Sequence, residues 1–272
     1  WPVAMLSIVA TETSVLTFIS LPGLAYRGEW FFLQLALGYI IGRMLVSIFL
    51  LPAYFKDGII SIYEVIGNRF GLHFQKIASL IFIVTRVLAD GVRFLATAVV
   101  VQVITGWSIE LAVLIIGIIT LIYTLSGGLR TVIWIDSIQF VLYLFGGLIS
   151  IYVALNYLDF NFGGIIKDLS NSHKMKILNF EGNLLYDPYY FFSAVFGGIF
   201  LSLSSHGIDH MMVQRVLSTQ NLSSARKSMV ASGVFVFIQF AVFLFAGSLI
   251  FLIIGEADIQ KDREFTYFIV NY

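Results

Sequence analysis

"IVATETSVLTFISLPG", residues 8–23, reads as a membrane span with an unusual density of oxygen atoms at its middle. Apolar residues flank it, yet Glu12 stands among Thr11, Thr13, Ser14 and Thr17. Hydroxyls alone commonly join membrane helices to one another. With a carboxylate among them, the stretch has the chemistry of a polar site, because a charge at bilayer depth is costly and marks function by default. Pro22 and Gly23 follow, where a helix is expected to bend or stop.

The rest of the chain is equally apolar. Of 272 residues 59% are hydrophobic and 12% charged, and the mean hydropathy is +0.93. Soluble domains carry about 25% charged residues, so the composition is that of a membrane protein, with the lipid bilayer as its solvent. A net charge of zero gives no ground for a nucleic-acid partner. The lack of cysteine excludes disulfides, thiolate metal sites and cysteine nucleophiles. A helix needs about 20 mostly apolar residues to cross the hydrocarbon core. Seven runs qualify, near 2–25, 30–55, 74–104, 108–126, 130–156, 189–217 and 225–254. Glycines are scattered through them, as in tightly packed membrane helices, and the short alternating segments of a β-barrel are missing. The fold class expected is an all-α polytopic bundle forming one transmembrane domain over 1–272.

Lys and Arg collect in the loops after the second, fourth and sixth spans: Lys56, Arg69 and Lys76, then Arg130, then Arg215, Arg226 and Lys227. By the positive-inside rule these loops face the cytoplasm. The longer segment 157–188 then lies outside, expected to order partly over the bundle. The chain starts at Trp1 and closes on a charged stretch, so both ends look cut and a fragment is expected.

Two further spans carry polar groups at depth. In the third, Arg86, Asp90 and Arg93 are four and three residues apart and share one helix face. That ladder must face the bundle or a wet cavity. It serves either as a structural ion-pair network or as a guanidinium site for an anionic group. In the sixth, "GGIFLSLSSHGIDHMMVQR" (197–215) breaks the apolar pattern with Gly and Ser. Interrupted helices at matching positions of two halves mark the site of a transporter built from inverted repeats. The first and sixth spans are five apart, the spacing of a five-plus-five repeat, with the first repeat near 2–156 and the second starting near 189. His206 and His210 are four apart but lack a third ligand, so lining a cavity or the cytoplasmic end of the helix is the favoured reading. An intramembrane enzyme using Glu12, Asp90, His206 and His210 would need a ligand motif such as HExxH, which does not occur.

Three stretches resemble the sodium:solute symporter family, which shares the leucine-transporter-like inverted-repeat fold. "YTLSGGLRTVIWIDSIQ" (123–139) is similar to its signature between the fourth and fifth core helices. "SIYEVIGNRFG" (61–71) matches its cytoplasmic loop pattern. "DHMMVQRVLSTQNLSSARKS" (209–228) resembles a third segment, with His210 where glutamine is usual. The resemblance implies core helices one to seven, with the second repeat incomplete. It places sodium at the break of the first helix, on the backbone carbonyls of Ala10 and Thr13, with Asp136 on the cytoplasmic ion path. The remaining sodium ligands belong to an eighth helix outside this sequence, so the chain alone is expected to hold sodium poorly. Substrate positions carry over to Glu12, Ser14, Thr17, Ser202 and Ser205, with Gln34 and Phe32 at the start of helix two. Arg86 lies near the place of an arginine for a substrate carboxylate.

The implied function is sodium-coupled symport of a small organic solute across the plasma membrane by alternating access, with no covalent step and no cofactor besides the coupling ion. A proton-coupled transporter and a non-transporting solute sensor of the same fold remain the alternatives. The two arginines of the third span favour a carboxylate-bearing solute. Oligomeric state is left open, a monomer being compatible with the resemblance.

Overall fold

The computed structural model describes residues 1–56 and 62–272, with backbone alone at 56, 128–130, 132 and 133. Ser61 and the side chains of Lys56 and Arg130, used in the loop and charge patterns above, lie outside the described residues.

The first span is two helices, α1 (Pro2–Glu12) and α2 (Val15–Arg27), bent by 69°. Thr13 and Ser14 between them are extended, with ψ of 115° and 172°. Ser and Thr side chains offer the backbone competing hydrogen bonds and so suit such a break. Of the end or bend expected at Pro22 and Gly23, the end does not occur: α2 runs through both to Arg27, with Gly28 as its cap. Proline cannot donate to the carbonyl one turn earlier, but packing holds the turn. The Pro22 carbonyl lies so close to Gly247 that any Cβ there would strike it.

The second span is α3 (Phe32–Leu45), a π-helical turn (Val46–Leu50) and α4 (Leu51–Lys56). Short α5 (Ile62–Phe70) leads into the third, α6 (Leu72–Thr105), which ends on Gly106 at φ 74°. The fourth and fifth spans differ from expectation. No non-helical loop parts them; α7 runs from Ile109 to Tyr157. Yet Ile116 and Tyr143 line one cavity of 280 Å³. A straight helix would hold them about 40 Å apart, so α7 doubles back between its two apolar halves, Ile109–Gly127 and Trp134–Tyr157. Gly127 permits the bend, since a Cβ there would run into the Thr131 side chain.

After α8 (Phe162–Asn171), the sixth span consists of α9 (Phe191–Ser202), a π-helical turn (Leu203–Ile208) and α10 (His210–Leu217). Asp209 caps α10, its Oδ1 accepting from Met211 N at 2.9 Å and Met212 N at 3.3 Å. The seventh is α11 (Leu222–Ile254), followed by α12 (Glu264–Asn271). Six helices are long and apolar enough to cross a membrane among the described residues, or seven with the bent pair counted as one span.

Backbone contact joins α3 to α9. A Cβ on Gly38 would lie 2.9 Å from Gly198 Cα, and one on Gly42 would lie 2.6 Å from Ser202 Cβ. Small residues four apart allow this approach, and dispersion over the joined surfaces replaces the missing hydrophobic drive. Helix α11 fills the middle, burying Val236, Phe240, Phe243 and Leu244 against α1, α2 and α3.

The segment after α7 orders over the bundle as expected. Trp30 N donates to Lys176 O, and Asn179 N donates to Gln34 Oε1. Lys174 is buried; its Nζ donates to Tyr26 O at 2.7 Å and lies 4.0 Å from the Phe251 ring centre. Burial depresses its ammonium below the usual lysine range, against the pull of Glu29 and Glu256.

Candidate ion and solute site

The site is built on the break of the first span. Among the described residues, no turn or cap amide donates to the carbonyls of Ala10 or Thr13. Both residues are buried and both line the 280 Å³ cavity. A free carbonyl at a helix end is a hard oxygen donor awaiting a partner, and such oxygens suit a small cation. The sequence-predicted Asp136 lines the same cavity, together with Thr11, Ser14, Tyr123, Gln139 and Tyr143. Asp136 is half-buried and pairs with Arg215 at 3.5 Å. Arg215 Nη1 in turn donates to Ser7 Oγ at 2.6 Å, tying α10 to α1.

The third-span ladder forms. Arg86 Nε lies 3.2 Å from Asp90 Oδ2, and Arg93 Nη1 lies 3.6 Å from Asp90 Oδ1. Arg86 also reaches Asp209 at 3.8 Å. The two arginines thus stand differently. Arg86 is held between two carboxylates, whereas Arg93 has one longer pair, lines the cavity and is 38% exposed.

Glu12 turns away from the cavity. Its Oε2 lies 2.5 Å from Arg43 Nη2 and 3.6 Å from His206 Nε2. Arg43, at 0% exposure, also donates to Ser232 Oγ at 2.6 Å. This cluster ties the broken first and sixth spans to α3 and α11. His206 and His210 do not converge. The extended residue Asp209 separates them, and His210 stacks near Tyr63 and Phe82.

The other predicted positions are spread out. Ser202 is buried at the α3–α9 contact, donating to Tyr39 O at 3.2 Å. The Gln34 amide is committed to Phe31 O, Tyr189 O and Asn179 N. Thr17 lies one turn into α2 and does not line the cavity. Ser205 donates to Leu201 O and lines a second cavity of 500 Å³ with Tyr63, Phe82, Thr85 and Asp209. Burial, reinforced by the Asp209 carboxylate, pushes the Tyr63 phenol up to about 12, so it meets that cavity as a neutral donor.

Sequence reasoning missed Arg43 and Gln239. Arg43 is a lone cation inside the second apolar run, and Gln239 is the single amide of α11. Each was legible as a polar residue within a span.

A model of the sodium:solute symporter family matches residues 1–266. The chain belongs to the sodium:solute symporter family. Among curated members of that family, it is 28% identical over 258 residues to sodium-coupled monocarboxylate transporter 2 of Mus musculus, covering 94% of this chain and 41% of that protein. It is 32% identical over 229 residues to the sodium-dependent multivitamin transporter of Oryctolagus cuniculus, covering 82% and 35%. The chain therefore spans about two fifths of the length of these relatives. A solved Na+-coupled sialic acid symporter, in a substrate-bound outward-open state, superposes with a TM-score of 0.88 at 23% identity, covering 99% of this chain and 58% of that one. The fold of this family member is thus leucine-transporter-like, and the protein is an integral, multi-pass membrane protein.

Proposed function

We propose that the protein is a sodium-coupled secondary active transporter that carries a small, carboxylate-bearing organic solute across the plasma membrane. One observation carries this reading: Ala10 and Thr13, whose carbonyls accept from no turn or cap amide among the described residues, line one cavity with Asp136 and Arg93. The carbonyls and the Asp136 carboxylate suit a monovalent cation, and Arg93, the less committed guanidinium of the third-span ladder, suits a carboxylate. Arg86, the residue expected from the sequence, positions Asp90 and Asp209 instead. The name of one relative, a sodium-coupled monocarboxylate transporter, agrees with a carboxylate-bearing solute.

Sodium bound at the break favours the order of the solute wall, and the solute favours retention of sodium; the coupling is reciprocal. The unit of α1, α2, α3, α9, α10 and α11 then rocks against α6 and α7, and the α5 end, taken as cytoplasmic, opens. The chain forms a single transporter domain, and no step makes or breaks a covalent bond.

The test is thermal stability of the full-length protein against organic acids, amino acids and sugars, each in sodium and in potassium. A ligand that stabilises only in sodium supports the reading. Equal stabilisation in both salts refutes sodium coupling and favours a proton-coupled carrier or a sensor.

A further inference from the structure

We infer that Gln239 of α11 is a positioning residue for the coupling ion, acting through Thr13; this rests on the reading of the break as a sodium site. Thr13 is the first non-helical residue of the first span, so little in its own backbone fixes the direction of its carbonyl. Its side chain supplies the restraint. Thr13 Oγ1 donates to Gln239 Oε1 at 3.1 Å, across 226 residues of sequence. Both residues are buried, at 6% and 1% exposure.

The amide serves Thr13 alone. Gln239 Nε2 is buried without an acceptor. A buried amide nitrogen left unpaired is unusual and unfavourable. The opposite amide orientation would keep the contact, with Nε2 donating to Thr13 Oγ1, and would leave Oε1 as the buried atom without a partner. A glutamine placed only to fill space in α11 could be a leucine at lower cost. Its presence in an otherwise apolar stretch, where Val236, Phe240 and Phe243 belong to the core, fits a polar contact that matters at the break. The contact also spans two helices. It fastens the joint of the first span to the middle of α11, where Ser232 already fastens Arg43.

The experiment uses the full-length protein in proteoliposomes, with sodium titrated against solute uptake and against thermal stability. Gln239→Leu removes the acceptor. It should raise the half-saturating sodium concentration about fivefold, the scale of one neutral hydrogen bond, and change the preference for sodium over lithium. Gln239→Glu keeps an oxygen for the Thr13 hydroxyl and should restore most of the sodium affinity. Thr13→Val should reproduce Gln239→Leu, and the double variant should be no worse than either single one. Thr13→Ser should rescue. Independent, additive losses would overturn the assignment, as would a Gln239→Leu protein that responds to sodium like the wild type. A wild type without any sodium response would instead overturn the proposed function and this assignment together.

Discussion

Replacing Arg43 with methionine should be among the most damaging single changes in the chain. The guanidinium is fully buried and makes two short contacts, 2.5 Å to Glu12 and 2.6 Å to Ser232. Its removal strands the Glu12 carboxylate, which is 18% exposed in the intact protein, with His206 Nε2 at 3.6 Å beside it. Breaking one side of a buried pair costs about 3–5 kcal/mol, because the other charge is left uncompensated. On a scale of about 2–4 °C per kcal/mol, this is a fall in Tm of about 6–20 °C. The decisive arm is the double variant Glu12→Gln with Arg43→Met. Without the stranded charge, it should recover more than half of the loss, since apolar replacement of a whole buried pair is often near neutral. Thermal unfolding of the purified full-length protein in detergent, followed by tryptophan fluorescence, measures all three. A loss below about 1 kcal/mol for Arg43→Met, or a double variant as unstable as the single one, would refute the reasoning.

Gly198→Val should prevent normal packing of α3 on α9, because a Cβ there collides with Leu35 O; a loss of about 3 kcal/mol or more in the same unfolding assay is expected. Arg93→Gln should weaken binding of a carboxylate solute about tenfold or more, consistent with loss of a charge-assisted hydrogen bond, while Arg86→Gln should lower stability and leave solute affinity near wild type; solute-dependent thermal shifts separate the two. Gln34→Ala should free the segment over the bundle, read as faster hydrogen exchange at Asn179, with ion and solute affinities unchanged in direct binding measurements. Asp209→Ala should cost about 1 kcal/mol through loss of the α10 cap, and proteolysis at 209–212 should report it.

Much of the architecture was legible because a bilayer imposes one dominant rule, a long apolar helix per crossing. The spans and the shared face of Arg86, Asp90 and Arg93 follow from spacing, and the break of the first span near Ala10 and Thr13 follows from the family resemblance. What was not legible depends on partners far away in sequence. Pro22 reads as a stop until Gly247 is found beneath its carbonyl. The stretch near 127–130 reads as a loop because it parts two apolar runs and carries Arg130, yet the backbone there stays helical. Glu12 reads as a cavity residue, but its direction is set by Arg43, 31 residues away. Gln34 and Ser202 read as polar positions near a site; their hydrogen bonds instead hold a loop and a helix crossing. Polarity at depth can be read from one sequence, but which way a side chain points cannot.

The 69° bend of the first span also has an electrostatic consequence. In a straight helix the peptide dipoles of both halves would add end to end. Here the negative end of α1 and the positive end of α2 meet within two residues, at Thr13 and Ser14. One joint therefore offers a cation the carbonyl side and an anion the amide side, so a cation and a carboxylate placed there would each lower the other's energy. Glu12, the last residue of α1, sits at the negative end, where a carboxylate is disfavoured. The fixed charge of Arg43 beside it offsets that field and leaves the rest of the joint to ligands.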